Sequence, residues 1–386
     1  MAGPLRVIHV IRALQTGGLE TLVLDACARM QSHAGVSASV CALLPGDGLE
    51  DRPQYQSVRC TVLRDRKRHG RLAMIHELVR FFRHEQPDVV HLHNFLCQVR
   101  AGLGARLARV PVVIATKHGS EWPRCLGSRH LAAGFYRLAD VLVAVSPDVR
   151  DGLLATYGFA PERVRLILNG VDTDRFRPMD GDCEKARQRI PGVTGTPLLG
   201  TVGRLVGYKG VGTLLEAFRI VLQRAPEAGL VIVGDGADRA SFENQAASLG
   251  IAARVHFLGN RSDVCSIYPL LDVYVQPSYT EGISLTMLEA CACALPVVAT
   301  KVGGNPEIVV DGQTGRLVPP RDPSALAAGI LEHLGNARAA HAMGRSARQR
   351  VVELFSLDRM VHDYLALYDE VRDRRLRAEQ GEQDTN

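Results

Sequence analysis

No apolar run in this 386-residue chain approaches the roughly 18 to 20 residues that a membrane span needs. The N-terminal MAGPLRVIHVIRALQTGG has one short apolar segment, with neither a long hydrophobic region nor a small-residue cleavage site, and is read as a first strand. The nine cysteines include no C-x-x-C pair and no Cys/His cluster at zinc spacing, so they are expected to be reduced core thiols of a cytosolic protein. Cys291 and Cys293, two apart in an Ala-rich stretch, fit packing better than chemistry. The turns GDGADR and GLGARL both lack the third glycine of a dinucleotide fingerprint. GRLVGYKG lacks the spacing of a phosphate-binding P-loop, and neither G-x-S-x-G nor H-E-x-x-H occurs. Hydrolase and zinc-protease readings thereby lose their main supports. There is no fixed-period repeat and no low-complexity tract.

What is present is typical of a globular protein: 46% hydrophobic and 23% charged residues, in a chain long enough for two cores. Only RAEQGEQDTN at the C-terminus reads as a polar tail. Twelve short strand candidates alternate with amphipathic segments: RVIHVI, VSASVCALL, DVVHLH, VPVVIAT, DVLVAVS and RVRLILNGV, then LLGTVGRL, LVIVGDG, RVHFLG, DVYVQPS, PVVAT and GRLVP. This predicts an α/β protein with mostly parallel sheets, and twelve strands suit two Rossmann-like sheets better than one. The turn-rich NGVDTDRFRPMDGD marks the break, giving domains at 1–177 and 178–355, and apolar spacing predicts a last helix at about 356–375. In that break, Asp172-Thr173-Asp174 reads as a turn with a cap, with a metal-holding pair as the weaker alternative.

Charge is unevenly spread. Residues 1–177 carry 24 Lys/Arg and 16 Asp/Glu, a surplus of +8, whereas the rest carries 22 and 25, a deficit of −3. The densest basic run, RDRKRHGR from Arg64 to Arg71, leaves two readings, a solvated loop or a surface for an anionic partner.

Positive evidence for a site lies at strand ends, where open α/β sheets bind ligands. Gly17 and Gly18 follow the first strand, Lys117-His118-Gly119 follows VVIAT, and Gly203-Arg204 follows LLGTV. EGISLTMLE, from Glu281 to Glu289, supplies the rest. If Gly282 and Ser284 mark the turn into a helix, its first-turn N–H groups and dipole favour a phosphate, and Arg204 and Lys209 complete a diphosphate site. Glu281 before the helix and Glu289 about 7 Å along it then flank the diphosphate, one facing a hexose and the other a ribose.

E-x7-E at Glu281 and Glu289, in order with GGLE, TKHGS, NGVDTDRF, GRLVGYKG, LVIVGDG and VGGNPEIVVDGQTGRLVPP, resembles the retaining glycosyltransferases of family four. The resemblance implies the GT-B architecture, two Rossmann-like domains facing a central cleft. The N-terminal domain shapes the acceptor site, the C-terminal domain holds a nucleotide-sugar, and the last helix crosses back to the first domain. By motif, Arg204 and Lys209 contact the diphosphate and Glu289 the ribose. Glu281 with the main chain of Gly282, Ile283, Ser284 and Leu285 contacts the donor sugar, Gly17 and Gly18 approach the donor, and His118 lies beside the transferred sugar. The implied activity is retaining hexosyl transfer from a nucleoside-diphosphate-sugar, with no metal and no other cofactor required. The implied partners are that donor and a saccharide or lipid-linked saccharide acceptor, with no nucleic acid. A place in cell-surface polysaccharide or glycolipid synthesis follows, in the cytoplasm or peripherally on an anionic inner membrane face. A nucleotide-sugar epimerase or another GT-B enzyme is the alternative. Cys291, where methionine is usual, and Leu19, where alanine is commoner, depart from the pattern without touching the proposed chemistry.

Overall fold

The computed structural model describes residues 3–63, 71–119, 129–179, 193 and 195–383. Its contacts divide the chain into Met1–Gly170 with Leu357–Asn386, and Val171–Ser356. The first division falls at 170/171 rather than after 177, because Val171 already pairs with Ser356 and its N–H bonds Phe355 within the second unit.

The N-terminal unit holds a parallel sheet of seven strands in the order β3-β2-β1-β4-β5-β6-β7. They are β1 Leu5–Ala13, β2 Val36–Leu44, β3 Arg59–Val62, β4 Val89–His93, β5 Val112–Lys117, β6 Val141–Ala144 and β7 Val164–Leu166. β4, β5 and β6 are buried along their whole length, as strands covered on both faces must be. β3 was not among the sequence expectations: it is a short edge strand with no fully buried residue, so it lacks the apolar run that marks its neighbours. The last helix, Leu357–Gln383, runs on beyond the expected 375 through most of the polar tail. Asp358 bonds Arg29 of the helix Gly18–Gln31, and Tyr364 and Tyr368 reach the sheet.

The C-terminal unit holds six parallel strands in the order β10-β9-β8-β11-β12-β13. They are β8 Leu198–Val202, β9 Gly229–Val233, β10 Val255–Gly259, β11 Val273–Gln276, β12 Val297–Thr300 and β13 Arg316–Val318. Leu199, Leu230, Ile232, Val273 and Val275 pack against Leu214, Phe218 and Val221 of the helix Val211–Leu222 and Leu326 and Ile330 of the helix Pro323–Gly335. In each sheet the chain order reverses once, between β1 and β4 and between β8 and β11. At such a reversal the connections leave in opposite directions and open a crevice at the carboxyl ends of the strands.

The basic run expected at Arg64–Arg71 lies outside the described residues from 64 to 70. No helix among the described residues is long and apolar enough to cross a membrane. Asp172 caps its own turn, its Oδ1 accepting from the N–H groups of Asp174 and Arg175 at 3.0 Å each. Cys291 and Cys293 are buried, and burial pushes the Cys291 thiol up to about 12, which fits packing rather than reactivity.

Candidate active site

In the C-terminal unit the crevice between β8 and β11 gathers most of the expected residues. After β8 the chain passes Gly203 and Arg204, makes a short 3₁₀ turn over Gly207–Lys209, and enters the helix Val211–Leu222 through Gly210. Gly210 sits at φ +72°, and a Cβ there would lie 2.0 Å from the Pro277 carbonyl oxygen. Only glycine allows the Lys209 turn to rest on the chain leaving β11. Gly210→Ala is expected to destabilise this unit by more than about 2 kcal/mol and to displace Lys209, which thermal unfolding together with ligand titration would detect.

The chain leaving β11 supplies the carboxylate. Glu281 is only 8% exposed, and its Oε1 accepts from Lys209 Nζ at 2.7 Å, Gln276 Nε2 at 2.9 Å and Ser278 Oγ at 2.7 Å. A buried carboxylate needs such partners, since desolvation without them is costly. Gly303 and Gly304 back the same segment: a Cβ on either would meet the Glu281 or Gly282 carbonyl at 1.9 or 2.2 Å. Ser284 caps the helix Leu285–Ala292, its Oγ accepting from the Met287 N–H at 3.3 Å, so the helix starts where the sequence placed it. Glu289 lies on the second turn, where its Oε2 accepts from the Tyr268 hydroxyl at 2.7 Å. Burial holds the Tyr268 phenol well above its ordinary pKa, and the Glu289 charge adds to this, so the proton stays on the phenol as donor.

Arg204 is exposed and bonds the Tyr208 hydroxyl; its guanidinium and the Lys209 ammonium lie 5.9 and 5.8 Å from the Tyr208 ring centre. Thr201, Gly203, Arg204, Lys209 and Gln276 line a recess of about 240 Å³ that includes space open to solvent. With two cations and one buried glutamate, the recess keeps a positive excess beside a helix N-terminus, which suits a multiply charged anion.

Gly17, Gly18 and His118 belong to the N-terminal unit. Gly17 precedes the helix Gly18–Gln31 in extended conformation and offers no side-chain cap, and a Cβ on it would meet the Glu20 carboxylate at 2.6 Å. His118 follows β5, half-buried, with its Nε2 2.9 Å from His93 Nδ1. Burial, with Lys117 adding, lowers its pKa to about 3, so it is neutral.

The sequence reading gave no role to Tyr208, Gln276, Ser278 or Tyr268, and noted the Gly303-Gly304 pair without seeing that it backs Glu281. One signal was legible: Gln276 is a polar residue closing an otherwise apolar strand, VYVQ, at the carboxyl edge.

Residues 182–350 match the family model described as glycosyl transferases group 1, and residues 16–175 match glycosyltransferase family 4. The chain is 31% identical to the alpha-maltose-1-phosphate synthase of Mycolicibacterium smegmatis, over 74% of this chain and 80% of that protein. It is 32% identical to the GDP-mannose-dependent alpha-(1-6)-phosphatidylinositol monomannoside mannosyltransferase of the same organism, over 63% of this chain and 66% of that one. It thus spans just under two thirds of the mannosyltransferase's length. Among solved structures, Anabaena HepE in complex with UDP and glucose superposes with a TM-score of 0.84 over 95% of this chain and 99% of its own, at 21% identity. That likeness shows the fold, the GT-B architecture expected above.

Proposed function

The chain belongs to the group 1 glycosyltransferases, and from that membership we propose that it moves a hexose-type sugar from a nucleoside-diphosphate-sugar to a saccharide or lipid-linked saccharide acceptor, with retention and without a metal. The Lys209–Glu281 pair in the crevice between β8 and β11 carries this reading. Arg204 and Lys209 bind the donor diphosphate, and the N-terminus of the helix Leu285–Ala292 adds its dipole. As the glycosidic bond breaks, charge grows on the leaving diphosphate, and fixed cations that need no reorganisation stabilise it most at that moment. Lys209 is held by Glu281, so it is in place before the donor arrives. Glu281, with the main chain of Gly282 to Leu285, orients the sugar, and Glu289, held by Tyr268, accepts from the ribose hydroxyls. On the same reading, and as the family resemblance implies, Gly17 and Gly18 are assigned to the donor and His118 to the transferred sugar. The acceptor attacks on the face the diphosphate leaves, which accounts for retention without a covalent nucleophile.

A thermal-shift screen across nucleoside diphosphates and their sugars tests the donor, since a ligand at 100 times its dissociation constant adds about 2.7 kcal/mol. Glu289→Ala is expected to weaken donor binding by roughly 1.5 to 3 kcal/mol, the range for a hydrogen bond to a charged group, as read by calorimetry. Transfer should survive EDTA; loss of activity that magnesium restores would refute metal independence. A trapped disaccharide separates transfer from epimerisation, which yields only a free epimer.

The names of the relatives span a phosphatidylinositol monomannoside acceptor and a maltose phosphate product. The +8 surplus of residues 1–177 favours work at an anionic cytoplasmic leaflet, in polysaccharide or glycolipid assembly. There each nearby Lys or Arg is worth about 1 kcal/mol. Sedimentation with anionic liposomes should fall with added salt and with serine at Arg66, Lys67 and Arg68. Failure to sediment at low salt would point to a soluble acceptor.

A further inference from the structure

β1 and β4 carry histidines inside apolar strands, His9 in RVIHVI and His91 and His93 in VVHLH, and all three are buried. They continue inward from His118. His118 Nε2 meets His93 Nδ1 at 2.9 Å, and His93 Nε2 meets His9 Nδ1 at 2.9 Å. His9 Nε2, the inner end, is buried without a hydrogen-bond partner among the described residues. His91 stands apart from this chain, its Nδ1 2.6 Å from the Tyr368 hydroxyl and its Nε2 2.7 Å from Thr116 Oγ1.

Three buried histidines with ligand atoms within 4.8 Å of one another invite a metal reading. The hydrogen bonds oppose it, because both nitrogens of His91 and of His93 are already engaged and a cation would break at least two of those bonds. The rings also lie side by side, 13° apart for His9 and His93 and 32° for His91 and His93, rather than aiming their lone pairs at one point. A proton wire is excluded as well. A proton passed inward from His118 would end as an imidazolium at His9, where burial holds the pKa to about 3.

What remains is polarity. A neutral imidazole has one N–H and one bare nitrogen, so each link in the chain fixes the tautomer of the next ring. Either the proton sits on Nδ1 of all three rings, leaving His9 Nε2 a bare acceptor, or on Nε2 of all three, leaving a buried orphan N–H. Orphaned buried N–H groups are the rarer of the two in folded proteins. We propose that His93 and His9 are positioning residues that lock His118 in its Nδ1–H tautomer, so that it meets an oxygen of the transferred sugar as a hydrogen-bond donor. The sugar contact rests on the placement of His118 proposed above; the tautomer does not.

Long-range ¹H–¹⁵N spectra of the histidine-labelled full chain test this, with the His118 signals assigned by their loss in His118→Gln. The expected wild-type pattern is a protonated Nδ1 and a bare Nε2 at His118. His93→Phe, which removes the donor to His118 Nε2, should let His118 populate both tautomers and lower kcat/KM about fivefold to tenfold, the worth of one hydrogen bond. An Nε2–H tautomer in the wild type, a His118 pattern unchanged in His93→Phe, or stoichiometric zinc retained through dialysis would each overturn the proposal. The wild-type spectrum decides even if His93→Phe does not fold. A tautomer shift with unchanged kcat/KM upholds the lock and refutes the placement of His118 at the sugar.

Discussion

Glu281→Gln is expected to lower turnover at saturating donor by about two to three orders of magnitude, the cost of removing one preorganised polar group from a reacting centre. It should also destabilise the C-terminal unit by about 3 kcal/mol. The stability loss comes from Lys209, whose side chain is 21% exposed and loses its carboxylate partner. Removing one member of a buried ion pair costs about 3 to 5 kcal/mol because the other is left uncompensated. The low end applies here, since Lys209 can turn its ammonium toward the solvent-open recess. Gln276 and Ser278 lose less, as an amide oxygen can still accept from one of them. A double variant separates the two losses: Lys209→Met combined with Glu281→Gln should recover stability relative to Glu281→Gln alone, without recovering turnover. Urea unfolding and steady-state kinetics on Glu281→Gln, Lys209→Met and the double variant read both quantities. Turnover within a few-fold of wild type in Glu281→Gln would remove Glu281 from the chemistry.

The strands that position this site were legible because parallel strands covered on both faces are continuous apolar runs, and LLGTV, LVIV and DVYV stand out from their polar surroundings. β3 was not, since an edge strand reading RCTV buries little and so has no such run. The site was legible where backbone conformation demands a residue type, as with the Ser284 cap. It was illegible where function depends on partners remote in sequence. Nothing local to Lys209 shows that it pairs with Glu281, 72 residues on, or that Tyr268 supports Glu289 from 21 residues before it. The histidines had a signal that was passed over. A titratable residue in the middle of an apolar strand must be partnered or neutral, and His9, His91 and His93 each break such a run. The unit boundary lies at 170/171 rather than at the expected 177/178 for a related reason: turn composition marks a loop, whereas the unit changes where Val171 joins Ser356, a pairing across almost half the chain.

Those buried histidines give the N-terminal unit a specific weakness to acid. His9 has its pKa lowered by burial to about 3 against 6.5 for the free side chain, and His91 and His93 are held well below 6.5 by burial, with neighbouring histidines adding. Among the described residues their hydrogen-bond partners are hydroxyls and other imidazoles, with no carboxylate to stabilise a charge, and the charge acting on His118 is the cation of Lys117. Above pH 6.5 these histidines are neutral both folded and unfolded, so their titration leaves stability flat. Below 6.5 the unfolded chain binds protons that the folded unit refuses, and stability falls as pH falls, by about 1.4 kcal/mol per pH unit for each such group. At pH 5, His9 alone withdraws roughly 2 kcal/mol by this arithmetic, and His91 and His93 add losses of the same sign. The C-terminal unit has one described histidine held down in this way, His333, and should weaken less. Urea unfolding at pH 7.5, 6.5, 5.5 and 5.0, with a probe in each unit, is therefore expected to show the N-terminal transition moving to lower denaturant ahead of the C-terminal one. His9→Phe should shallow the slope of the N-terminal unit by about one proton. A stability that stays flat to pH 5, or a slope that His9→Phe leaves unchanged, would mean that these imidazoles find a counter-charge in the folded unit and are not held neutral.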